Sequence, residues 1–419
     1  MRSHLTAFGL GAGLVLLAGG VLAVAGPHFI EIDGDDDGVS VVNLDDGDSG
    51  SFQLIDGKLA VAAKWKGDFL FAGDARSLTS LAKSLEVEVK EGDSSRKAVF
   101  ESKDGKILVT AFKNEMALAG AEADEEAAAL LQTFARSSGV NAEQRIKAII
   151  AEGGKAAAIA EIGALTGGHA AGAYIGALAE TATLDDKDVE GLSAGIAALN
   201  SDYAKRQALA ALLENQKLGE DGLQSVLGAA KTIESDHEVR LIIEALSENA
   251  ISSANAAAAT ALLGDIESDH EIRLAVEALT ESKALAGADA ARAVAAAAAA
   301  IEGDYEKRLV IEAAAERLGD AGMAGAAIGA AGAIKGAHER RLAIENIAEN
   351  LGSGSSDWLA LIALAGGVDS DHERRLAVEA LADRAPKSAE TEAALAAAAA
   401  SIGSDHDRRL AQDALELRR

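Results

Sequence analysis

The chain of 419 residues has no cysteine, so it forms no disulfide, offers no thiolate nucleophile and holds no thiolate-bound metal. Aromatic residues make up only 3% of it. Alanine dominates instead, and any core has to come from thin, closely spaced helices rather than from large rings. Basic residues are scarce beside acidic ones, 39 against 67, for a formal charge of −28. A surface this negative repels phosphate backbones, and no Lys/Arg cluster interleaved with aromatics offsets it, which argues against a nucleic-acid binder. The same imbalance keeps an alanine-rich chain soluble and favours cationic partners. Nucleophile elbow, phosphate loop and dinucleotide fingerprint are all missing. The glycine-rich "GLGAGLVLLAGG" follows no strand. Outside the N-terminus no stretch is apolar enough to span a bilayer.

The N-terminus has the pattern of a targeting segment. "MRSH" is a short positive region, "LTAFGLGAGLVLLAGGVLA" an apolar stretch, and Ala23-Val24-Ala25 an A-x-A site before Gly26. Residues 1–25 therefore read as a signal peptide. If retained, they would be an N-terminal anchor whose Gly9 and Gly13 could pair helices. Export without cysteine fits a periplasmic or extracellular location, with an inner-membrane anchor as the alternative.

Residues 26–50 read as an acidic Asp/Gly linker. Within it Asp33, Asp35 and Asp37 occupy positions 1, 3 and 5 of a calcium loop, with Gly38 at position 6. Position 12 is Leu44 rather than a bidentate glutamate, and no helices flank the loop. Weak calcium binding is thus the alternative to a plain linker. Residues 51–118 alternate between apolar and polar in short runs such as "KLAVAAKW" and "SLEVEVKEG". Asp56-Gly57 and Asp104-Gly105 mark hairpins, which predicts a small antiparallel β domain with Leu85, Val87 and Val89 on one face. After Asn114 the strand signal ends. "EADEEAAALLQTFARSS" predicts a helix closed by Gly139, and Asn141 with Gln144 predicts a capping box opening the next.

A repeat fills the remainder. "SDYAKRQALAAL" begins at 201, "SDHEVRLIIEAL" at 235, "SDHEIRLAVEAL" at 268 and "GDYEKRLVIEAA" at 303. "GAHERRLAIENI" follows at 336, "SDHERRLAVEAL" at 370 and "SDHDRRLAQDAL" at 404. The intervals are 33–35 residues, and a decayed copy, "GHAAGAYIGAL", begins at Gly168. Each copy has an alanine-rich helix upstream, and sustained self-similarity at this period predicts stacked helix hairpins. The expected fold is mainly α: a right-handed α-solenoid of about eight repeats over residues 119–419, preceded by the β domain. The units resemble HEAT-type repeats. More closely, the S-D-[YH]-E-x-R-L signature is similar to helical repeats of exported bacterial proteins of unassigned function. Some copies of such repeats stand beside antibiotic-sensing membrane metallopeptidases. The resemblance covers roughly residues 50–419; it implies a fold and a compartment, and carries no catalytic residue with it.

The repeated polar residues have a structural reading. Serine at the N-cap and glutamate three residues on, as in Ser235/Glu238, Ser268/Glu271 and Ser370/Glu373, make capping boxes. Asp236–Arg240–Glu244, Asp269–Arg273–Glu277, Asp304–Arg308–Glu312 and Asp371–Arg375–Glu379 are i,i+4 ladders. The expectation is an arginine partly buried between helices, bridging its own aspartate and a carboxylate of the next repeat. His-Glu opens the H-E-x-x-H zinc motif, but Leu241, Leu274, Leu342 and Leu376 stand where the second ligand belongs. Tyr203 and Tyr305 replace histidine at the same repeat position, as a packing ring allows and a metal ligand does not. Trp358 is the one aromatic in its helix, either a partner anchor or a gap filler, and with His169 and Tyr174 it departs most from the repeat.

No catalytic residue, cofactor or firm metal ligand emerges. The expected function is a non-enzymatic protein–protein interaction scaffold in the bacterial envelope with an unidentified, basic partner. A membrane-anchored sensory ectodomain and a hydrolase with a site in the solenoid groove are the alternatives.

Overall fold

A computed structural model describes residues 49–165, 168–248, 251–282 and 284–418, with the backbone of 15–17, 20–22 and 39–45. The signal-peptide reading and Asp33, Asp35 and Asp37 fall outside the described residues, apart from a short antiparallel pairing of β1 (Val15–Leu17) with β2 (Gly20–Leu22). Two compact units divide the chain, residues 1–183 and 184–419.

The first unit contains a seven-stranded antiparallel sheet in the order β11-β10-β9-β8-β5-β4-β3. Its strands are β3 (Val39–Asp45), β4 (Ser49–Asp56), β5 (Leu59–Lys66), β8 (Ser84–Glu91), β9 (Ser94–Lys103), β10 (Lys106–Lys113) and β11 (Met116–Ala117). β6 (Phe69–Phe71) and β7 (Leu78–Leu81) form a separate hairpin between β5 and β8. Asp104 and Gly105 both have positive φ, 52° and 73°, the geometry that closes the two-residue β9–β10 turn. β3 corrects the reading of residues 26–50 as linker throughout, because Val39–Asp45 pairs with β4 along its whole length. The Asp/Gly texture on either side hides a strand of only seven residues.

Alternation sorts this sheet into two faces. Leu85, Val87 and Val89 are fully buried, while Lys64 and Lys66 face solvent and Lys97 meets Glu86 at 2.6 Å. Helix α1 (Ala121–Ser138) lies over the apolar face and contributes Ala127, Leu130, Leu131 and Phe134 to its core. The few aromatics are concentrated here. Phe134 is fully buried with its ring centroid 5.7 Å from Phe52, 5.8 Å from Phe71, 6.1 Å from Trp65 and 6.2 Å from Phe69. Gly50 opposes Trp65 across β4 and β5, and a Cβ there would come within 2.3 Å of the indole. Helices α2 (Ala142–Ile162) and α3 (Gly168–Thr181) pack together as a hairpin within this unit.

The second unit is a stack of seven hairpins. They are α4 (Asp186–Ala197) with α5 (Asp202–Asn215), α6 (Glu220–Ala230) with α7 (Asp236–Ser247), α8 (Ser253–Leu262) with α9 (Asp269–Glu281), and α10 (Gly287–Ala300) with α11 (Asp304–Ala314). Then follow α12 (Met323–Ala333) with α13 (Ala337–Asn350), α14 (Trp358–Gly366) with α15 (Asp371–Arg384), and α16 (Ala389–Ala400) with α17 (Asp405–Arg418). Even-numbered helices pack on one another in one layer and odd-numbered helices in a second, the arrangement of an α-solenoid. Ala208, Ala275, Ala343, Ala377 and Ala411 occupy equivalent, fully buried positions, where Ile242 and Val310 stand in the other two repeats. One residue further on, Ile243, Val276, Ile311, Ile344 and Val378 are likewise fully buried. Close approach replaces bulk as the source of dispersion energy.

Because a single ring organises the β-domain core, Phe134→Ala is expected to cost about 3–5 kcal/mol, the range for a buried phenylalanine that leaves a cavity. Urea unfolding followed by near-ultraviolet circular dichroism of the aromatic cluster measures it.

Candidate functional site

The chemistry-bearing residues of the repeat meet at the joint between one odd-numbered helix and the next. Each such helix starts with a serine or glycine N-cap and, except in α13, an aspartate at the first helical position. The aspartate does not turn to its own arginine. It reaches the following repeat and accepts two backbone N–H groups, those of the next N-cap and of the residue before it. Asp202 takes Glu234 and Ser235, Asp236 takes Glu267 and Ser268, Asp269 takes Glu302 and Gly303, Asp304 takes Lys335 and Gly336, and Asp371 takes Gly403 and Ser404. The distances run from 2.6 to 3.1 Å. This corrects the Asp–Arg half of the ladder: two orphan backbone donors outside a helix start hold a carboxylate more firmly than one flexible guanidinium a turn away.

The arginine has the other half of the joint. Arg273 donates through Nη1 to Glu277 of its own helix at 2.7 Å and through Nε to Glu306 of the next repeat at 2.6 Å. Arg375 does the same with Glu379 at 2.8 Å and Asp407 at 3.0 Å. Arg240 bridges Glu244 and Glu271, Arg308 bridges Glu312 and Glu339, and Arg341 bridges Glu345 and Glu373. Only 12–14% of these arginine side chains is exposed; their same-helix glutamates are 21–38% open and the next-repeat carboxylates 16–25%, so the bridge between repeats is the better covered half.

That use of the glutamate also undoes the capping boxes. Ser268 and Ser370 accept from the backbone of Glu271 and Glu373 at 3.4 Å, but the glutamate side chains go to the preceding repeat's arginine. Ser235 makes no side-chain cap at all. Asn141 is likewise not a cap: its φ is 57° and its amide donates to the Phe69 carbonyl at 2.8 Å. Reciprocal boxes form instead at Asp185/Asp188 and Ser388/Thr391.

A second cation, on the residue before the joint arginine, was missed in the sequence because its identity varies. Arg374 donates to the carbonyls of Val368, at 2.8 Å, and Ser401, at 2.6 Å; Arg340 bonds Ile334 and Gly367, and Lys205 bonds Thr232. In α7 and α9 that position holds buried Val239 and Ile272. The α13 joint is the incomplete one: Ala337 stands where the aspartate belongs, so its side chain offers no carboxylate to the N–H groups of Asp369 and Ser370.

The rings sit at the rim of each joint. Arg240 and Arg273 meet Nδ1 of His237 and His270 at 3.1 and 3.2 Å, and Arg341 and Arg375 meet Nδ1 of His338 and His372 at 3.3 Å each. Arg206 and Arg308 stack over Tyr203 and Tyr305 at 4.8 and 5.1 Å. Histidine and tyrosine thus exchange because either offers the guanidinium an electron-rich partner. Among the described residues no group of three or more histidine, aspartate or glutamate side chains is placed to hold a metal ion. No helix among them is long and apolar enough to cross a membrane.

Trp358 is 2% exposed and its indole N–H donates to the Gly352 carbonyl at 3.0 Å. It fills the core of its hairpin and presents no anchor to a partner, because an indole of this size finds its lowest energy where both its faces are covered. Tyr174 belongs to a buried cluster of the first unit. It accepts from Arg145 at 2.9 Å, while Arg145 and Arg136 both bind Glu161, the latter through two bonds of 2.8 and 2.9 Å. Burial pushes the Glu161 carboxyl up, and the two guanidinium groups more than offset it, leaving it below the usual range. His169 is exposed on α3, and the partial desolvation it does undergo lowers its pKa. A cavity of about 230 Å³ beside α1 is lined by Leu78, Phe100, Ile107, Val109 and Leu131 with Arg76 and Asp124. It is smaller than the roughly 300–1,000 Å³ of ordinary ligand pockets.

No family model, curated protein or solved structure matches this chain.

Two predictions follow from the joint. Arg273→Met leaves Glu277 and Glu306 without their cation, and Asp269→Ala strands two backbone donors. Each is expected to cost about 1–3 kcal/mol in a urea titration, and a cost near zero would mark the joint as solvated decoration. The second concerns acid. Desolvation raises the Asp304 carboxyl, and the Lys335 and Gly336 N–H groups with nearby lysine charges bring it net below the aspartate value. A lowered folded pKa stabilises above the unfolded value, about 3.9, and that stabilisation is lost as pH falls through the folded one. Asp304→Asn should therefore lower the urea midpoint at pH 7 and flatten its decline between about pH 4 and pH 2 relative to the parent.

Proposed function

We propose that the chain is a non-enzymatic, exported repeat protein that serves as a protein–protein interaction scaffold in the bacterial envelope. One observation carries this reading: the residues that could do chemistry are engaged with one another. Aspartate caps the next helix, arginine holds two carboxylates, and each histidine Nδ1 beside Arg240, Arg273, Arg341 and Arg375 is occupied by that arginine. What the array turns to solvent is a repeated surface rather than a focused site, and stacked hairpins offer such a surface to extended partners. The formal charge of −28 favours a basic partner.

Affinity capture from an envelope extract with the full chain tests the proposal. One partner is expected in stoichiometric amount, released as salt is raised past the screening range of about 0.15 M. Finding no partner, together with turnover against a panel of hydrolase substrates, would reverse the reading. Mass spectrometry of the mature N-terminus separates the alternatives: a start at Gly26 fits a cleaved signal, and a retained apolar segment favours an anchored sensory ectodomain.

A further inference from the structure

The ring row narrows the kind of partner, on the assumption that the scaffold reading holds. One ring stands near the start of each odd-numbered helix from α5 to α17, and all are exposed. Tyr203 and Tyr305 are 49% and 54% open, and the side chains of His237, His338 and His372 are 57–61% open. They are also fixed in place. A guanidinium can only donate, so at the four arginine contacts the imidazole accepts at Nδ1, an arrangement that in a neutral ring puts the proton on Nε2. The Glu271 and Glu373 carboxylates lie 3.8 and 3.5 Å from the same nitrogens of His237 and His338.

The spacing of the row selects a ligand shape. Packed helices lie about 8–10 Å apart, so the row advances one ring per step of that size. A chain that meets every ring in the same way must present the same side at each step. A polyproline II helix has three residues per turn and rises about 3.1 Å per residue, which gives about 9.3 Å per turn with every third side chain on one side. A β-strand covers a similar distance in three residues, but its side chains alternate with period two, so successive rings would meet opposite faces. An α-helix advances only about 5.4 Å per turn and falls out of step.

The charge beside the row is also specific. The residue before the N-cap is exposed and acidic at Glu234, Glu267, Glu302 and Asp369, and basic at Lys335. We propose that the ring row docks a proline-rich, lysine- or arginine-bearing segment of a partner protein in the polyproline II conformation, one ring to a turn. Proline rings stack on the tyrosine and imidazole faces, and the cations meet the flanking carboxylates.

The test is calorimetric titration of the full chain with a synthetic peptide of about six Pro-Pro-Lys triplets, long enough to cross several rings. The controls are a peptide of the same composition with the prolines out of period three and a lysine oligomer of equal charge. The regular peptide is expected to bind about tenfold more tightly than either control, a difference of about 1.4 kcal/mol. Combined His237→Ala, His270→Ala and Tyr305→Ala substitutions should remove that advantage. Because those rings touch the joint arginines, the set Glu234→Lys, Glu267→Lys and Glu302→Lys is the companion test. Lysine already occupies this position at Lys335, and the backbone donors to Asp202, Asp236 and Asp269 are kept. Equal binding of all three peptides, no binding, or unaltered affinity in both variant sets would overturn the proposal. A partner captured by the full chain whose binding survives both sets leaves the scaffold reading intact and removes this one; capture of nothing removes the scaffold reading itself.

Discussion

A carboxylate from one repeat closing the helix start of the next is the constraint on which the array depends. Helices of this length and composition have little stability alone, and their first backbone donors are orphans that must be satisfied. At five joints an aspartate from the preceding hairpin takes the backbone donors at the entry to the next helix, those of the N-cap and of the residue before it. A cap supplied from within the same helix would stabilise that helix and nothing else. Serines such as Ser268 and Ser370 do that here, but the aspartate clasp exists only when the neighbour is folded and seated, and it couples local helix formation to stacking. The arginine extends the same logic to side chains, since one guanidinium takes a carboxylate on each side of the seam. Polar interactions of this kind set the register between repeats, while buried alanine and aliphatic residues supply the contact area.

The β domain solves a different problem with different materials. A sheet needs its apolar face covered, and α1 provides that cover through Phe134, against which four other rings pack. In a chain with 3% aromatics, such concentration assigns bulk to the β core and leaves the helices to pack closely. Where the first unit does bury charge, at Arg145 and Glu161, the network is almost closed: only Arg145 Nε lacks a partner there.

Much of this was legible in residue order because the repeat averages over seven copies. The interval fixed the hairpin unit, the alternation around Leu85, Val87 and Val89 fixed the faces of the sheet, and leucine after the joint arginine ruled out a zinc motif. What stayed hidden was the direction of each polar bond. Sequence spacing shows that Asp269 and Arg273 lie one turn apart on a helix, and it also shows Ser268 and Glu271 in a capping arrangement. Both local pairings are geometrically allowed. Asp269 and the Glu271 side chain both turn to partners in a neighbouring repeat, which come within reach only after stacking, and Ser268 keeps just the Glu271 backbone N–H. Strand β3 was hidden for the opposite reason, since its flanking Asp/Gly composition outweighed a short alternating run. Trp358 could be read either way from composition, and its depth in the hairpin decides the matter.

Ala337 gives the stack an internal asymmetry. Every other capping joint ties two backbone groups of the following hairpin to an aspartate, and this one ties none that way; it is held by long cationic side chains instead, Arg341 to Glu373, Arg340 to the Gly367 carbonyl and Arg384 to Glu349 at 2.7 Å. At that one place along the stack the fixed geometry of a backbone clasp is exchanged for long, jointed side chains, so the α13–α15 seam has more freedom to adjust its angle than its neighbours.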